Sequence, residues 1–304
     1  MFTIVIPSYN HEKYIVDCLG AVSRLNIDGL RIIVIDDGSA DDTPNAVRKY
    51  IENQNSCDIE LICKENSGLV SSLNLGLQLV NTEFVYFVAS DDIPRPEGLQ
   101  KCLELLRANP SLRFCIGGGD NFFDDVITDA TLTPVYRDQH QDFFFSEPVR
   151  RAEKIFLDYP APLLLQSVVF RTSALRDIGG WDPRLLWDDY PTFVKLLSRF
   201  PDLNVDFVYQ PEIKVIYYRH HGNNSYKNLP KQFLMVQQTM KMLAPEKLKA
   251  KAVGNALAFY SLMALRGADV RAAVKILKLA AWRDMIFAIP AGFRLILRKA
   301  ASGK

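Results

Sequence analysis

Cysteine is scarce in this chain. The five present, Cys18, Cys57, Cys63, Cys102 and Cys115, form no C-x-x-C pair. An odd number scattered over expected strands and helices fits reduced, buried thiols in a cytosolic protein rather than a disulfide frame or a zinc site. No run of 18 uncharged apolar residues occurs, so no transmembrane helix is expected. No basic segment precedes the first apolar stretch. Met1 leads straight into Phe2-Thr3-Ile4-Val5-Ile6, which reads as a strand and not as a signal peptide. Several glycine motifs are missing as well. No G-x-G-x-x-G follows the first strand, and Gly117-Gly118-Gly119 comes late and precedes Asp120-Asn121, not a helix, so a dinucleotide fold fits poorly. The absence of G-x-x-x-x-G-K-[ST] excludes a P-loop, and the absence of G-x-S-x-G counts against an α/β-hydrolase.

What is present describes an ordinary globular chain. It has 304 residues, 48% hydrophobic and 23% charged, enough for one large domain or one domain with an appendage. The formal net charge of +1 hides an asymmetry. Residues 231–304 hold 14 Lys and Arg against 3 Asp and Glu, a net of +11, so residues 1–230 carry 22 basic against 32 acidic side chains, a net of −10. An acidic body with a basic end region points to an anionic partner for that end.

Phe2 to Ile6 is the first expected strand, closed by Pro7-Ser8-Tyr9-Asn10. Ile15, Cys18, Leu19 and Val22 have helical spacing over residues 12–24. Arg31 to Ile35 is a second buried strand ending in Asp36-Asp37-Gly38-Ser39. A helix starts at Asp42-Thr43-Pro44. Ile59 to Cys63 is a third strand, and Gly68 to Leu79 is a helix with Leu69, Leu73, Leu77 and Val80 on one side. Phe84-Val85-Tyr86-Phe87-Val88 is a fourth strand that runs into Ala89-Ser90-Asp91-Asp92; Pro94 and Pro96 then stop it and start a new helix. This alternation argues for a parallel sheet with right-handed crossovers. Residues 121–148 read as an irregular loop region, Leu163 to Phe170 as a strand, and Gly179-Gly180-Trp181-Asp182-Pro183 as a turn. Asp188-Asp189 opens a helix with Phe193, Leu196 and Leu197 inward. Ile213 to Tyr218 is a last strand, and from Pro230 onward the chain reads as helices.

Acidic pairs stand at three element ends: Asp36-Asp37, Asp91-Asp92 and Asp188-Asp189. Taken singly, the first suits a turn, Asp91 a helix cap, and the third a helix N-terminus. Taken together, at the ends of elements of one α/β domain, they suit a division of labour. One pair holds a divalent cation on a diphosphate, another hydrogen-bonds a ribose or base, and the third supplies a general base. That set describes a nucleotide-sugar-dependent transferase.

In the same order and spacing, Ile4-Val5-Ile6-Pro7-Ser8-Tyr9-Asn10, Val34-Ile35-Asp36-Asp37-Gly38-Ser39, Asn66-Ser67-Gly68 with Asn74-Leu75-Gly76-Leu77, and Ala89-Ser90-Asp91-Asp92 resemble the donor half of family 2 glycosyltransferases with the GT-A fold. Ile178-Gly179-Gly180-Trp181-Asp182 and Trp187-Asp188-Asp189-Tyr190 resemble that family's Gly-Gly-aromatic-acid turn and its Glu-Asp catalytic motif. Tyr218-Arg219-His220-His221-Gly222-Asn223-Asn224-Ser225 resembles a segment of its bacterial polysaccharide members. The resemblance covers residues 1 to about 225.

It implies an α/β fold with a GT-A-like, Rossmann-type central sheet, mixed but mainly parallel and flanked by helices. The domain would span 1–225, with a donor half over about 1–120, an acceptor half over about 121–225, and a basic C-terminal helical region over 226–304. By the resemblance, Pro7 to Asn10 line the nucleotide, with Tyr9 near the uracil. Asp37 contacts the base or ribose, and Gly68 and Asn74 belong to the donor side. Ser90-Asp91-Asp92 fills the place of the D-x-D motif, with Asp92 the metal ligand and Asp91 on the ribose or metal. His221 reaches the metal or diphosphate. Asp189 takes the place of the general base, and Asp188 replaces the usual Glu beside it. Ser90 in place of an acid leaves the metal, Mg²⁺ or Mn²⁺, fewer protein ligands. Ser71 and Ser72 stand where some relatives carry a basic residue.

Trp187 could stack on a sugar, with core packing as the alternative, and Gln166 could bind sugar hydroxyls. The implied reaction is inverting transfer from a UDP-sugar to a lipid-linked glycan acceptor, with no nucleic-acid partner. A nucleotidyltransferase, a non-catalytic sugar-binding protein and a protein or other lipid glycosyltransferase stay open. Over residues 285–299, Ile286, Ile289, Phe293, Ile296 and Leu297 fall at near-helical spacing with Arg294, Arg298 and Lys299 between them, and Pro290 is expected to kink or divide that helix. A basic amphipathic helix of this kind can lie on an anionic bilayer. The expected location is therefore cytoplasmic, peripheral at the inner face of the cell membrane.

Overall fold

The computed structural model describes residues 1–54, 57–123, 127–128, 130–220 and 228–302. In chain order, β1 (Phe2–Ser8), α1 (Ile15–Val22), β2 (Leu30–Asp36), α2 (Thr43–Glu52), β3 (Asp58–Cys63), α3 (Leu69–Leu79) and β4 (Phe84–Phe87) alternate as the periodicity predicts. β1 is buried at every position, as a strand covered on both faces must be. It pairs in parallel with β2 on one side and β4 on the other, and β3 extends the parallel set beyond β2. The direction of strand addition therefore reverses between β1 and β4, which opens a crevice at their carboxyl ends.

Then come β5 (Ile93–Pro94), α4 (Pro96–Ala108), β6 (Phe114–Phe123), β7 (Thr133–Pro134), α5 (Asp138–Phe144), α6 (Pro148–Leu157), a 3-10 turn at Leu165–Ser167, β8 (Val168–Arg171), α7 (Thr172–Asp177), α8 (Asp189–Arg199) and β9 (Phe207–His220). The strand order is β3-β2-β1-β4-β8-β6-β9-β5, with β7 on β6. Beyond β4 the sheet turns mixed, because β8 runs antiparallel to both β4 and β6 whereas β6 and β9 are parallel.

One face of the sheet carries the main core. Ile15, Cys18, Leu19 and Val22 of α1 and Leu99, Cys102, Leu103 and Leu106 of α4 pack with Ile4, Ile6, Ile32, Val34 and Tyr86. α3 covers the opposite face, where Gly76 lies so close to Val5 that a Cβ would come within 2.4 Å of its side chain. Leu73 and Leu77 face inward as expected, but Leu69, in the first turn of α3, is 47% exposed. Cys18, Cys102 and Cys115 are buried thiols, whereas Cys57 is half-buried and Cys63 is exposed; none forms a disulfide among the described residues.

Two expectations change. Residues 121–148 are not simply loop. β6 continues to Phe123, and α5 forms because its end folds Phe143 and Phe144 into an aromatic cluster in which Phe144 stacks on Tyr209 at 4.4 Å. Leu163 to Phe170 is not one strand. Its first half is the Leu165–Ser167 turn, because hydroxyl groups from distant segments take up its backbone groups.

A second unit comprises residues 149–160, 185–187 and 222–304. Its helices are α6, but for its first residue, with α9 (Leu229–Leu243), α10 (Glu246–Arg266), α11 (Val270–Leu279) and α12 (Trp282–Ser302). α12 passes through Pro290 without a break, which corrects the expected division. The proline removes one backbone bond. Close packing on α10 offsets that loss: a Cβ at Gly254 would lie 2.6 Å from the Phe287 Cβ and 2.7 Å from the Asp284 carbonyl oxygen.

The triple glycine of β6 has a packing cause. The β6–β9 register shifts at Gly117 and Gly118, and a Cβ on Gly118 would lie 1.9 Å from the Pro211 carbonyl oxygen. Gly118→Ala should lower stability by about 3 kcal/mol, at the upper end of overpacking costs, since backbone yields less than a side chain. Gly20→Ala, where an added Cβ meets nothing within 4 Å, is the control and should gain about 1 kcal/mol of helix propensity. Chemical denaturation of both variants measures this; equal midpoints would refute the packing account.

Candidate active site

The crevice is built from three loops. After β1, Asn10 adopts a left-handed conformation (φ 54°), which its short polar side chain tolerates. Its backbone N–H donates to Ser39 Oγ at 2.9 Å, and its Oδ1 accepts from the Ala40 N–H at 2.8 Å, so the loops after β1 and β2 are tied together. Pro7 and Ser8 are buried beneath this link, and Tyr9 stands 46% exposed on the rim. Asp36 folds back on its own turn, accepting from the Ser39 N–H at 3.0 Å and Ser39 Oγ–H at 2.5 Å. Asp37 reaches the third loop. Its carboxylate accepts from the Ser67 N–H at 3.0 Å, the Gly68 N–H at 2.8 Å and the Lys64 ammonium. Gly38 sits at φ 71° with the Asn66 N–H only 2.8 Å from where a Cβ would stand, so no other residue fits that turn.

Two expected donor-side residues are therefore committed within the protein. Asp37 organises the Asn66–Gly68 loop. Asn74 uses both ends of its amide on Trp181, donating to its carbonyl at 2.8 Å and accepting its N–H at 3.0 Å. That pair locks α3 to the Gly179-Gly180-Trp181 turn, and the Trp181 ring packs edge-on against Phe87.

Ser90, Asp91 and Asp92 follow β4. Ser90 is buried, with its Oγ 2.7 Å from His11 Nδ1; His11 Nε2 lies 3.9 Å from Asp91 Oδ2. Asp92 is 1% exposed. Its Oδ1 accepts the Arg219 N–H at 2.8 Å, and Gln166 Nε2 makes a long 3.5 Å contact with Oδ2. The Arg219 side chain donates from Nε to the Asp91 carbonyl at 2.8 Å and pairs with Asp17 at 2.9 Å, its guanidinium flanked by the Tyr14 and Phe122 rings. One arginine thus grips the acidic turn from its backbone and its side chain.

Asp189 is the first residue of α8. Neither Asp188 nor Asp189 caps the helix: Asp188 makes no side-chain cap bond, and Asp189 Oδ1 instead accepts the Leu165 N–H at 2.7 Å. Leu165 and Gln166, neighbours in one 3-10 turn, therefore contact the carboxylates of Asp189 and Asp92. The turn is fixed in its own right. The Tyr86 hydroxyl donates to the Gln166 carbonyl at 2.6 Å, the Tyr136 hydroxyl accepts the Leu164 N–H at 3.2 Å, and Ser167 Oγ donates to the Leu164 carbonyl at 2.7 Å. Gln166 Oε1 is buried with no hydrogen-bond partner.

The electrostatics follow from enclosure, complete for Asp92, whereas Asp188 and Asp189 keep part of their surface exposed. Asp92 is held well above the usual carboxylate range, first by desolvation and then by Asp91, with Asp189 adding to it and Arg219 opposing it. Asp189 is raised by burial and then by Asp188, against the pull of the Leu165 N–H; Asp188 is raised by burial. Trp187 is half-buried and groups with the second unit. His221 lies outside the described residues. His11, Lys64 and Arg219 have positions here that spacing did not assign. Arg219 stood inside the flagged Tyr218–Ser225 run, but its partner Asp17 is distant in sequence. Among the described residues, no group of three or more His, Cys, Asp or Glu side chains converges as a metal cluster.

The chain belongs to the family of the model "Glycosyl transferase family 2", which matches residues 3–161. It is similar to an Escherichia coli chondroitin synthase, 31% identical over 139 residues, covering 45% of this chain and 20% of that protein. The chain spans less than half the length of this and the other curated relatives compared, from 13% to 46%. Its fold is that of GT-A structures. It matches Staphylococcus aureus TarS (residues 1–349, in complex with UDP-GlcNAc) at a TM-score of 0.61 and 17% identity, over 94% of this chain and 83% of that one. A mannosyltransferase from Pyrobaculum calidifontis, in complex with GDP-Man and Mn²⁺, matches at 0.58 and 19%, over 100% and 80%.

The raised carboxylates make a stability prediction. A carboxyl whose folded pKa exceeds its unfolded one contributes stability that is fully present below the unfolded value and is lost as pH rises through the folded value. Asp189→Asn retains an Oδ1 for the Leu165 N–H and removes that loss. Its Tm should exceed that of the wild type at pH 8, and the gap should close toward pH 4. A variant that melts lower at pH 8 would show that the charged carboxylate stabilises the fold.

Proposed function

We propose that the chain is a metal-dependent, inverting glycosyltransferase that moves a sugar from a nucleotide-sugar, a UDP-sugar, to a hydroxyl of a glycan acceptor. The acceptor we propose is a polyprenyl-diphosphate-linked intermediate of O-antigen, capsule or exopolysaccharide synthesis. The observation that carries the catalytic part is the shared turn: Leu165 and Gln166 contact Asp189 and Asp92, and both acids have raised pKa values.

In this reading Asp189 is the general base. Its Oδ1 is anchored by the Leu165 N–H, which leaves Oδ2 for the proton. A raised pKa brings the carboxylate closer to the operating pH, where a base works best. It deprotonates the acceptor hydroxyl as the oxygen attacks the anomeric carbon. The bond from that carbon to the diphosphate oxygen breaks, its electron pair leaves with the nucleoside diphosphate, and the configuration inverts.

The Asp91–Asp92 turn fits a hard divalent cation, Mn²⁺ or Mg²⁺. Asp92 is under-compensated, with one oxygen in only a long contact, and two protein carboxylates leave the other positions to a diphosphate and His221. Such an ion supplies neutralisation of the leaving diphosphate. Tyr9, Pro7 and Asn10 line the nucleotide beside Asp37 and Gly68. Gln166 and Asp188 face the acceptor, and Trp187, which groups with the second unit, is a separate candidate for stacking on a sugar. Residues 1–225 form the catalytic domain in this assignment. The nucleotide-sugar and Mn²⁺ in the two structural neighbours, and the name chondroitin synthase of one relative, support the substrate class.

No helix among the described residues is long and apolar enough to cross a membrane. The basic helical unit is assigned to peripheral contact with an anionic bilayer, which places the reaction at the inner face of the cell membrane.

The deciding experiment is release of UDP from a panel of UDP-sugars with Mn²⁺ and a glycan acceptor. Asp189→Asn should lower turnover about 10²–10⁴-fold while leaving UDP binding near wild type. EDTA and Asp92→Asn should each abolish metal-dependent UDP binding. Full turnover in EDTA would remove the metal role, near-normal turnover of Asp189→Asn would remove the base, and turnover of a nucleoside triphosphate instead would make the chain a nucleotidyltransferase.

A further inference from the structure

The second unit leaves a strip of apolar surface uncovered. Trp282, Ile286, Ile289, Phe293 and Leu297 are each 56–68% exposed, at spacings of three and four residues along one face of α12. Beside this strip lies a groove of about 400 Å³ whose walls include Leu257, Leu262, Leu277, Met285 and Ile296. Ser261 is a polar residue in that lining, and its Oγ is buried with no hydrogen-bond partner. Gly292 also lines the groove, and a Cβ there would meet nothing within 4 Å. An apolar surface of this kind marks an interaction site.

Charge selects the occupant. Residues 270–302 hold 7 Lys and Arg and a single acid, Asp284. That acid is buried and its carboxylate accepts the Ala281 N–H at 3.0 Å, so it does little to offset the cations at the surface. A second copy of the chain would set two strongly basic faces against each other, whereas an anionic lipid leaflet complements them. An exposed strip without a groove would serve for adsorption alone. The groove adds an open channel with apolar walls and free room at Gly292.

We propose that this groove takes a single acyl chain of an anionic bilayer phospholipid, with the cations of α11 and α12 on the headgroups. The inference rests on the reading above that the helical unit meets a membrane. Occupancy of the slot converts electrostatic adsorption, which salt screens, into retention that salt does not release.

The test uses the full chain and two variants that fill the slot from opposite sides, Gly292→Trp and Ser261→Phe. Submicellar lauroyl-lysophosphatidylglycerol, followed by titration calorimetry, should bind the wild type saturably at one per chain and bind both variants at least about tenfold more weakly. On vesicles of phosphatidylcholine with phosphatidylglycerol, the wild type should leave a fraction bound at high salt, and the variants should elute completely. Melting curves check that each variant is folded, and one folded variant suffices. If a folded variant binds lysolipid and resists salt like the wild type, the groove assignment is overturned. If the wild type fails to sediment with the vesicles at low salt, the membrane reading itself falls, and the groove assignment with it.

Discussion

The first unit is organised around a repulsion. Asp92 bears the charge of Asp91 and, less strongly, of Asp189 on top of its desolvation, and Asp189 bears that of Asp188. A buried carboxylate with no compensation costs several kcal/mol. The compensation is specific and incomplete. Arg219 gives Asp92 a backbone N–H and a nearby charge, yet part of that charge is spent on Asp17. Asp189 receives one N–H from Leu165. Hydrogen bonds to ionised groups contribute about 1.5–3 kcal/mol each, which is too little to return either acid to its usual range. A site left short of positive charge in this way favours whatever brings it, whether a proton or a cation.

The supports of that site come from far apart in sequence, which decides what could be read from the sequence. β1, β2 and β4 were legible because strands buried on both faces are mostly apolar, and Ile15, Cys18, Leu19 and Val22 fixed the inner face of α1 by spacing alone. Such patterns are local. The Leu165–Ser167 turn was not legible. Pro162-Leu163-Leu164-Leu165-Gln166-Ser167-Val168-Val169-Phe170 has the composition of a strand, and the groups that hold its first half in a turn include Tyr86, Tyr136 and Asp189, all distant in sequence.

α5 failed for a related reason. Asp138-Gln139-His140-Gln141-Asp142 is polar enough to read as loop. His140 is nevertheless buried as a neutral ring, its Nδ1 accepting the Arg137 N–H at 3.1 Å and its Nε2–H donating to the Pro162 carbonyl at 2.9 Å. Burial lowers its pKa and keeps that tautomer, so a residue that looks solvated is a strut for the segment leading into the Leu165 turn. The acids themselves were legible because their spacing to strand ends is local. Their environment was not, since Arg219 and Asp17 stand 202 residues apart.

The same contrast separates the two units. In the first, polar groups are drawn inside and most are answered: Thr3 with Thr82, Arg171 with the Leu112 and Leu106 carbonyls, Asp37 with the 64–68 loop. In the second, apolar side chains are left outside. A helix such as α12 that puts Trp282, Ile289 and Phe293 into water forgoes burial worth about 1.5–3 kcal/mol for each large side chain. Propensity does not explain this, because a polar residue at any of those positions would keep the helix and remove the exposure. Nor does packing on α10, which uses the other face, at Gly254. An apolar face that the helix does not need and that the described residues leave uncovered fits the membrane contact proposed above, and the surrounding cations fit a negative surface.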